Sequence, residues 1–327
     1  MKFGLIPIEG GQFFEEALEE AIYGEEMGFD SLWLEEHHGI REHYWPSPLV
    51  ALAGIAQCTS RILLGTDILV LPLYHPVRVA EDVAMLNILS KGRMIFGAAI
   101  GYREPEFSLY GVDMENRGAR YVETLKIIRT LWAEGEIEYQ GRFYRIAGNI
   151  EPMPEQIPPI WLGGWGELSL KRAARFGDAW VPGPTANLEK LLSAQEQYRS
   201  FLVEYGKDPH SAPTPLTRDV IVASSDEEAW ELAEKYLMIS YRDEYGGGWK
   251  HPLIGKQDKT PVDTLEALGL DRFIIGSPDR CVQIIRHFEE AFGVDHLICR
   301  LYFPGMPHEH IMQEIRLLAT EVFPHFR

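Results

Sequence analysis

The stretch that decides the fold runs from Phe3 to Glu35 and reads FGLIPIEGGQFFEEALEEAIYGEEMGFDSLWLE. It predicts a strand over Phe3–Pro7, an amphipathic helix over Gln12–Met27 and a second strand over Ser31–Glu35. The helix has its apolar residues at steps of three and four, and Gly28 is the kind of residue that commonly ends a helix. Two apolar strands joined through a helix predict the βαβ unit of a parallel sheet.

The same alternation continues to the end of the chain. Further strands are predicted, in order, at Ile62–Val70, Arg93–Ile100, Pro159–Leu162, Asp178–Val181, Leu216–Ala223 and His296–Tyr302. Further helices are predicted at Pro48–Cys58, Val77–Leu89, Asn116–Trp132, Leu168–Phe176, Leu188–Tyr205, Asp226–Ile239, Pro278–Phe292 and His308–Val322. Eight strands, each followed by helical sequence and with no linker between them, predict a (β/α)8 TIM barrel that forms one domain over residues 1–327.

The rhythm breaks between the seventh and eighth predicted strands. Tyr241–Leu270 contains Gly246–Gly248 and few periodic apolar residues, so a mobile insertion is predicted over about residues 241–277. Such an insertion could act as a lid that excludes water from a site, with the glycines as a hinge. The alternative is a surface loop with no part in catalysis.

Composition excludes several classes of function. The chain has 31 Lys and Arg against 49 Asp and Glu, a formal net charge of −18, which argues against a nucleic-acid partner because phosphate backbones require a basic surface. The longest apolar run, Ile68–Leu73, is far shorter than the ~20 residues of a membrane span. The three cysteines, Cys58, Cys281 and Cys299, show no disulfide pattern, so we expect a cytoplasmic protein.

In this fold the active site lies at the carboxyl ends of the strands. Glu35-Glu36-His37-His38 follows the second strand, and Asp67 interrupts the apolar third strand, where a carboxylate is costly to bury unless it is paired or reaches the barrel mouth. Adjacent residues of a strand point to opposite sides, so His37 and His38 cannot easily bind one metal ion, and we predict no metal site. A histidine at a strand end suits proton transfer near neutral pH.

A glycine-rich turn, Gly163-Gly164-Trp165-Gly166, leads from the fifth strand into a helix that contains Ser169. Glycines allow a ligand to approach the backbone closely, and the amides at a helix start bind anions. The pattern therefore indicates a phosphate site, although a tight strand-to-helix connection would also explain the glycines.

These motifs together resemble one known family, the bacterial luciferase-like monooxygenases. The resemblance lies in stretches that follow one another in the family's order along nearly the whole chain: 29–38 (FDSLWLEEHH), 65–72 (GTDILVLP), 75–78 (HPVR), 90–93 (SKGR), 159–160, 173–177 (AARFG), 276–279 (GSPD) and 293–296 (GVDH). It implies a barrel that holds a flavin, usually FMN, at the strand ends. It also implies that the chain uses O2 and reduced FMN, which a separate flavin reductase supplies, to oxidise a small organic substrate through a flavin hydroperoxide. The resemblance further suggests a homodimer.

The resemblance also implies roles for individual residues. His37 matches the family's catalytic histidine, and His38 is assigned to catalysis beside it, in a supporting role. Asp67-Ile68 matches a non-prolyl cis peptide behind the flavin ring. The remaining cofactor-binding residues are Ala99, Tyr102, Gly164, Trp165, Gly166 and Ser169, the last three at the phosphate.

Two positions depart from the family pattern. Ile100 stands where relatives often have a phosphate-binding arginine; Arg117 or Arg120 could replace it, although Arg120 could instead pair with Glu123. Ala99 stands where luciferase has a reactive cysteine, so light emission is not expected. Tyr44, Trp45, Tyr74 and Tyr102 are predicted to surround the mouth.

Three alternatives to the monooxygenase stay open. One is a deazaflavin-dependent hydride-transfer oxidoreductase, whose family members usually lack the double histidine. Another is a non-catalytic flavin-binding protein of the same fold, and the third is a metal-dependent barrel hydrolase. The sequence does not identify the substrate.

Overall fold

The fold is described from a computed structural model, which covers residues 1–40, 43–245, 253 and 263–327. Its strands, β1 to β12 in chain order, are Lys2–Ile6, Ser31–Leu34, Leu63–Thr66, Leu69–Val70, Met94–Ala99, Glu136–Gln140, Arg145–Asn149, Ile160–Gly163, Ala179–Val181, Pro215–Val222, Phe273–Gly276 and His296–Arg300. Its α-helices, α1 to α11, are Phe14–Met27, Pro48–Cys58, Pro76–Leu89, Glu104–Tyr110, Arg117–Glu134, Glu167–Phe176, Leu188–Glu204, Asp226–Leu232, Leu265–Leu268, Pro278–Phe292 and His308–Leu317.

The main sheet is parallel and curls into a barrel. Its strands lie in the order β11-β10-β12-β1-β2-β3-β5-β8-β9, with β4 beside β5. Its two ends meet where the Thr217 amide, in β10, donates to the Pro182 carbonyl just beyond β9 at 3.2 Å. The helices pack around this sheet, as they do for α1, which buries Ala17 and Ala21 and ends at Gly28, whose φ of 93° is left-handed. The predicted TIM-barrel fold is confirmed.

Three elements differ from the prediction. The third predicted strand is divided into β3 and β4, and the peptide between them, Asp67–Ile68, is cis as expected from the family resemblance. The antiparallel hairpin β6–β7 was not predicted, because most of its side chains are polar or exposed and it lies outside the barrel. Strand β11 was not predicted either; it pairs with the second half of β10.

The predicted insertion contains regular structure at both ends. It begins in a π-helix, Ser240–Tyr245, and its later part includes α9 and β11. No helix or strand was predicted in these parts, because few of their apolar residues are periodic. Residues 246–252 and 254–262, which include Gly246–Gly248, lie outside the described residues. Across the described residues, no helix is long and apolar enough to cross a membrane.

The barrel interior is closed below its mouth by a cluster of aromatic side chains. Trp33 and Trp161 stack with ring centroids 5.0 Å apart, and His296 meets both rings edge-on. Gly65 provides the space, because a Cβ there would lie 2.1 Å from the Trp33 ring. The Ser31 hydroxyl joins the group, 2.6 Å from both the Trp33 Nε1 and the His296 Nε2 atoms. This aromatic cluster fills the barrel interior below the mouth.

The pH dependence of stability tests the burial of His296 in this aromatic cluster. Burial, and to a lesser extent the charge of Lys2, lowers the pKa of His296 to about 3. The pKa of a histidine in the unfolded chain is about 6.5. Between these values the unfolded chain binds a proton that the folded chain does not. The contribution of His296 to stability is therefore lost as pH falls below about 6.5, at about 1.4 kcal/mol per pH unit.

We expect urea unfolding between pH 6.5 and pH 4.5 to show this dependence in the wild type. The His296→Gln variant should have a lower free energy of unfolding than the wild type at neutral pH. Its free energy of unfolding should fall less steeply as pH decreases, because glutamine does not titrate. Equal slopes for the two proteins would show that His296 is protonated in the folded state.

Candidate active site

A cavity of about 380 Å³ opens at the carboxyl ends of the barrel strands. It is lined by nearly all of the residues that the sequence assigned to a site, namely His37, Asp67, Ile68, Ala99, Tyr102, Gly164, Trp165, Gly166 and Ser169. Of the aromatic residues predicted at the mouth, Tyr44 and Tyr102 line the cavity, whereas Trp45 and Tyr74 pack behind it. Residues from distant parts of the chain meet here because parallel strands end at one face of the barrel.

His37 is held by a carboxylate that sequence reasoning missed. Its Nδ1 lies 2.7 Å from the Glu106 Oε1 atom, which also accepts hydrogen bonds from the His38 amide and, at 2.7 Å, from Arg103. Burial opposes ionisation of Glu106, but these donors together lower its pKa to about 2. An ionised carboxylate only accepts hydrogen bonds, so Nδ1 carries the proton and Nε2 is the basic nitrogen. Glu106 belongs to α4, a short helix that the periodicity did not predict.

His38 does not line the cavity. Its Nε2 lies 2.9 Å from the Glu36 Oε1 atom and its Nδ1 lies 3.1 Å from the Tyr110 hydroxyl. Glu36 also accepts from the Tyr74 hydroxyl and from the Val70 amide. Assigning His38 to catalysis beside His37 is therefore corrected: this side chain points to the opposite side of the chain, as adjacent residues of an extended segment do, and it holds the wall behind the site.

Asp67 reaches across the barrel mouth. Its Oδ2 atom accepts a hydrogen bond of 2.5 Å from the Thr217 hydroxyl on β10. Burial raises the pKa of Asp67 to about 7, and the nearby Glu35 adds to this effect, whereas Thr217 and Arg300 oppose it. Asp67 is thus poised to change its charge near neutral pH.

A buried ion pair lies beside Asp67. Arg300 Nε donates to Asp219 Oδ1 at 2.6 Å and its NH1 group donates to the Tyr245 hydroxyl at 2.9 Å, while Tyr241 donates to the second oxygen of Asp219 at 2.7 Å. Both tyrosines belong to the π-helix that begins the insertion. The strand and helix patterns did not predict this group, although an arginine and an aspartate inside apolar strands were a signal for it.

Two further carboxyl groups adjoin Arg300. Glu35 Oε2 lies 3.5 Å from the Arg300 NH1 group, and the Glu35 amide donates to Glu9 Oε1 at 3.0 Å. Burial first, and then the charge of Glu35, raise the pKa of Glu9 well above its usual value. Burial also raises the pKa of Glu35. Glu35 and Asp67 line the floor of the cavity, whereas Glu9, Asp219 and Arg300 lie behind it. The floor is therefore rich in carboxyl groups, with one buried guanidinium behind them.

The glycine-rich turn forms the other end of the cavity. Gly164 has a φ of 118°, and a Cβ there would lie 2.8 Å from the Ser169 Cβ atom. Gly166 caps α6, and its carbonyl accepts from the Ser169 and Leu170 amides at 2.7 and 3.0 Å. The first amides of the helix have no partner within it. They form a candidate anion site, as the glycine-rich turn predicted.

One arginine accompanies this anion site. Arg117 lines the same cavity; its NH1 group donates to the Met114 carbonyl at 2.9 Å and its buried Nε has no hydrogen-bond partner. Arg120 instead donates to the Pro72 carbonyl at 3.0 Å and lies over the Tyr144 ring. Of the two alternatives, Arg117 lines the cavity and Arg120 does not, so Arg117 is the candidate to bind the phosphate. The structure does not show the suggested pair of Arg120 with Glu123, whose carboxylate accepts from the Phe143 and Tyr144 amides.

The described part of the chain contains no group of three or more His, Cys, Asp or Glu side chains placed to hold a metal ion. The arrangement that it does contain is a basic histidine nitrogen, an acidic floor and an anion site within one cavity. This combination can hold a phosphorylated cofactor and transfer a proton beside it.

Known proteins share both the fold and the length of this chain. The alkanal monooxygenase alpha chain of Photorhabdus luminescens is 27% identical, over 99% of this chain and 97% of its own. The F420-dependent glucose-6-phosphate dehydrogenase of Amycolatopsis mediterranei is 26% identical, over 95% and 94%. Among solved structures, the monooxygenase RslO1 from Streptomyces bottropensis matches all of both chains with a TM-score of 0.89 and 26% identity.

The family model described as luciferase-like monooxygenase matches residues 4–296. That match spans the barrel from β1 to the start of β12 and includes every cavity-lining residue described above. The chain belongs to the luciferase-like monooxygenase family.

Proposed function

We propose that the chain is the oxygenase of a flavin-dependent monooxygenase that uses reduced FMN and O2 to oxidise a small organic substrate. Members of its family are oxidoreductases. The observation that carries the proposal is that one cavity holds the His37–Glu106 pair and the glycine-rich anion site. A flavin that is phosphorylated at one end and reactive at the other fits this arrangement.

The residues at the anion end fit FMN. Gly164 allows the turn to lie close to Ser169, because a Cβ there would collide with the Ser169 side chain, and the α6 amides and the Ser169 hydroxyl can bind phosphate oxygens. Arg117 has a buried Nε without a hydrogen-bond partner. A net charge of −18 is compatible with this site because backbone amides and one arginine supply the donors. The bound flavin and O2 would supply the oxygen chemistry.

The chain's own residues would bind and orient the flavin and transfer a proton beside it. His37 Nε2 is the basic nitrogen on the cavity side, and Glu106 fixes the ring and stabilises a positive charge on it. Tyr44 and Tyr102 meet the His37 ring edge-on, with centroids 4.7 and 5.8 Å away. These rings make the wall around the histidine apolar, which favours exclusion of water during the reaction.

A deazaflavin-dependent hydride transfer is the second candidate. The F420-dependent relative from Amycolatopsis mediterranei favours it, since a deazaflavin also presents a ring and a phosphate. A histidine paired with a carboxylate can serve either reaction. Comparing the binding of FMN and of a deazaflavin to the same protein distinguishes the two.

A separate flavin reductase is proposed as the partner, as the family resemblance implies. Reduction of bound FMN by NADH or NADPH without any added reductase would contradict this proposal.

The cytoplasm is proposed as the location of the chain. Secretion of the native chain into the periplasm or medium would contradict this proposal.

The cofactor is the first test. Absorbance and fluorescence titrations should show that FMN binds more tightly than riboflavin. Arg117→Gln should weaken FMN about tenfold or more and leave riboflavin unchanged, because a hydrogen bond to a charged group contributes about 1.5–3 kcal/mol. Arg120→Gln is the matched control, since this arginine bonds to Pro72 instead. Equal affinity of the wild type for FMN and riboflavin would contradict the phosphate assignment, and preferred binding of a deazaflavin would support the second candidate.

The reaction is the second test. Reduced FMN, 18O2 and a panel of small organic substrates that includes alkanals should yield a product containing one 18O atom. His37→Gln should lower that rate about 10²–10⁴-fold, the range typical of general acid–base groups, and should keep FMN affinity.

His75→Gln is the matched control, because His75 directly precedes α3 and does not line the cavity. An equal loss in both variants would contradict the role of His37. FMN binding without any oxygenated product would support a non-catalytic flavin-binding protein.

We also propose a homodimer, formed through α2 and α3. These adjacent helices expose apolar side chains: Val50 is 74% exposed, and Met85, Ile88 and Leu89 are each about 40% exposed. Helix α2 contains no charged residue. In a chain with a net charge of −18, an uncharged apolar surface is where two copies meet with the least repulsion.

Analytical ultracentrifugation tests the dimer. The wild type should sediment as a dimer, and the double variant Val50→Glu with Ile88→Glu should sediment as a monomer, because carboxylates would face each other across the interface. Val203→Glu is the control, since Val203 is 61% exposed on a different helix. A monomeric wild type, or a dimer that survives both charges, would overturn the assignment.

A further inference from the structure

The Asp67 carboxyl group forms part of the cavity floor. Asp67 lies just after β3, and Thr217, whose hydroxyl donates to it at 2.5 Å, lies on β10. Three strands, β12, β1 and β2, separate β10 from β3 in the sheet. The hydrogen bond therefore crosses the barrel mouth, and a planar ligand at the bottom of the cavity would lie against it.

The carboxyl group has little to stabilise its charge. Within the described residues, the Thr217 hydroxyl is its hydrogen-bond donor. Arg300 is the cation that faces it, but this guanidinium already binds Asp219 at 2.6 Å and Tyr245 at 2.9 Å. Glu35, which follows β2, faces the same carboxyl and opposes its ionisation. The remaining support is water in the cavity, since Asp67 lines it and is partly exposed there.

We propose that Asp67 takes up a proton when a flavin ring is seated on the cavity floor, so that flavin binding is coupled to protonation of this carboxyl group. A ring that covers the floor removes the water that supports the charge, and a carboxylate left with one donor is costly. The neutral acid avoids this cost and can donate its hydrogen to an acceptor atom of the ring. The inference rests on the proposed function, because it assumes that the ligand is a flavin.

The sign of the pH dependence follows from this coupling. In the absence of ligand, burial holds the pKa of Asp67 at about 7, and coverage by the ring raises it further. The bound protein then holds a proton that the free protein has lost. Flavin affinity is greatest below about pH 7 and falls by up to tenfold per pH unit above it.

Calorimetry with riboflavin tests the proposal. Titrations at pH 7.5 and above, in buffers of different ionisation enthalpy, count the protons taken up on binding, and riboflavin has no phosphate that could titrate. The wild type should take up as much as one proton and bind more weakly as pH rises. Asp67→Asn, which has the same shape but does not titrate, should take up none and show a flat affinity profile.

Thr217→Val provides a second, independent variant. Loss of its hydroxyl removes the donor to Asp67, which raises the pKa of the free carboxyl, so the pH range of proton uptake should move upwards. This variant and the wild-type proton count keep the proposal testable if Asp67→Asn does not fold.

The outcomes separate the two proposals. Riboflavin binding without proton uptake, or with equal uptake in the wild type and Asp67→Asn, overturns the coupling and leaves the flavin function intact. Failure of the wild type to bind riboflavin, FMN or a deazaflavin overturns the proposed function and the coupling with it.

Discussion

The buried ion pair between Arg300 and Asp219 is the interaction on which the site depends. It joins β12 to β10 at 2.6 Å and both side chains are fully enclosed. Removing two charges from water is costly, and this cost is reduced by tyrosine hydroxyls that bond to the second oxygen of Asp219 and to the NH1 group of Arg300. Those hydroxyls come from Tyr241 and Tyr245, so the pair also ties the start of the insertion to the barrel mouth. Because it occupies the guanidinium, it leaves the neighbouring carboxyl groups without a full counter-charge.

The two ends of the cavity use opposite electrostatics within a strongly acidic chain. At one end, helix amides, a hydroxyl and Arg117 form the proposed anion site without a basic surface. At the other, Glu106 is held ionised by three donors, whereas burial and neighbouring acids favour the protonated forms of Glu9 and Asp67. The same residue type therefore carries different charges within one site, because hydrogen-bond donors and burial act in opposite directions on a carboxyl group.

The sequence predicted most of the barrel and most of the cavity wall, and its failures have physical causes. The strands of the barrel are apolar and the helices amphipathic, so their periodicity identifies them. The β6–β7 hairpin lies outside the barrel and is too polar to show such a pattern, and β11 was hidden within a segment assigned to the insertion. His37 and the glycine-rich turn were found because they follow strands directly. Glu106 was missed because it lies on a short helix within a loop.

What the sequence by itself determined is local: the strand and helix periods, the carboxyl ends at which site residues occur, and the turn at Gly164, where only glycine fits. Only the tertiary structure decided which side chains meet. His37 and Glu106 are 69 residues apart, Arg300 and Asp219 are 81 apart, and Asp67 and Thr217 are 150 apart. No periodicity relates residues at such separations. They meet because a closed parallel barrel brings the ends of all its strands to one mouth, where each side chain's charge depends on the partners it finds.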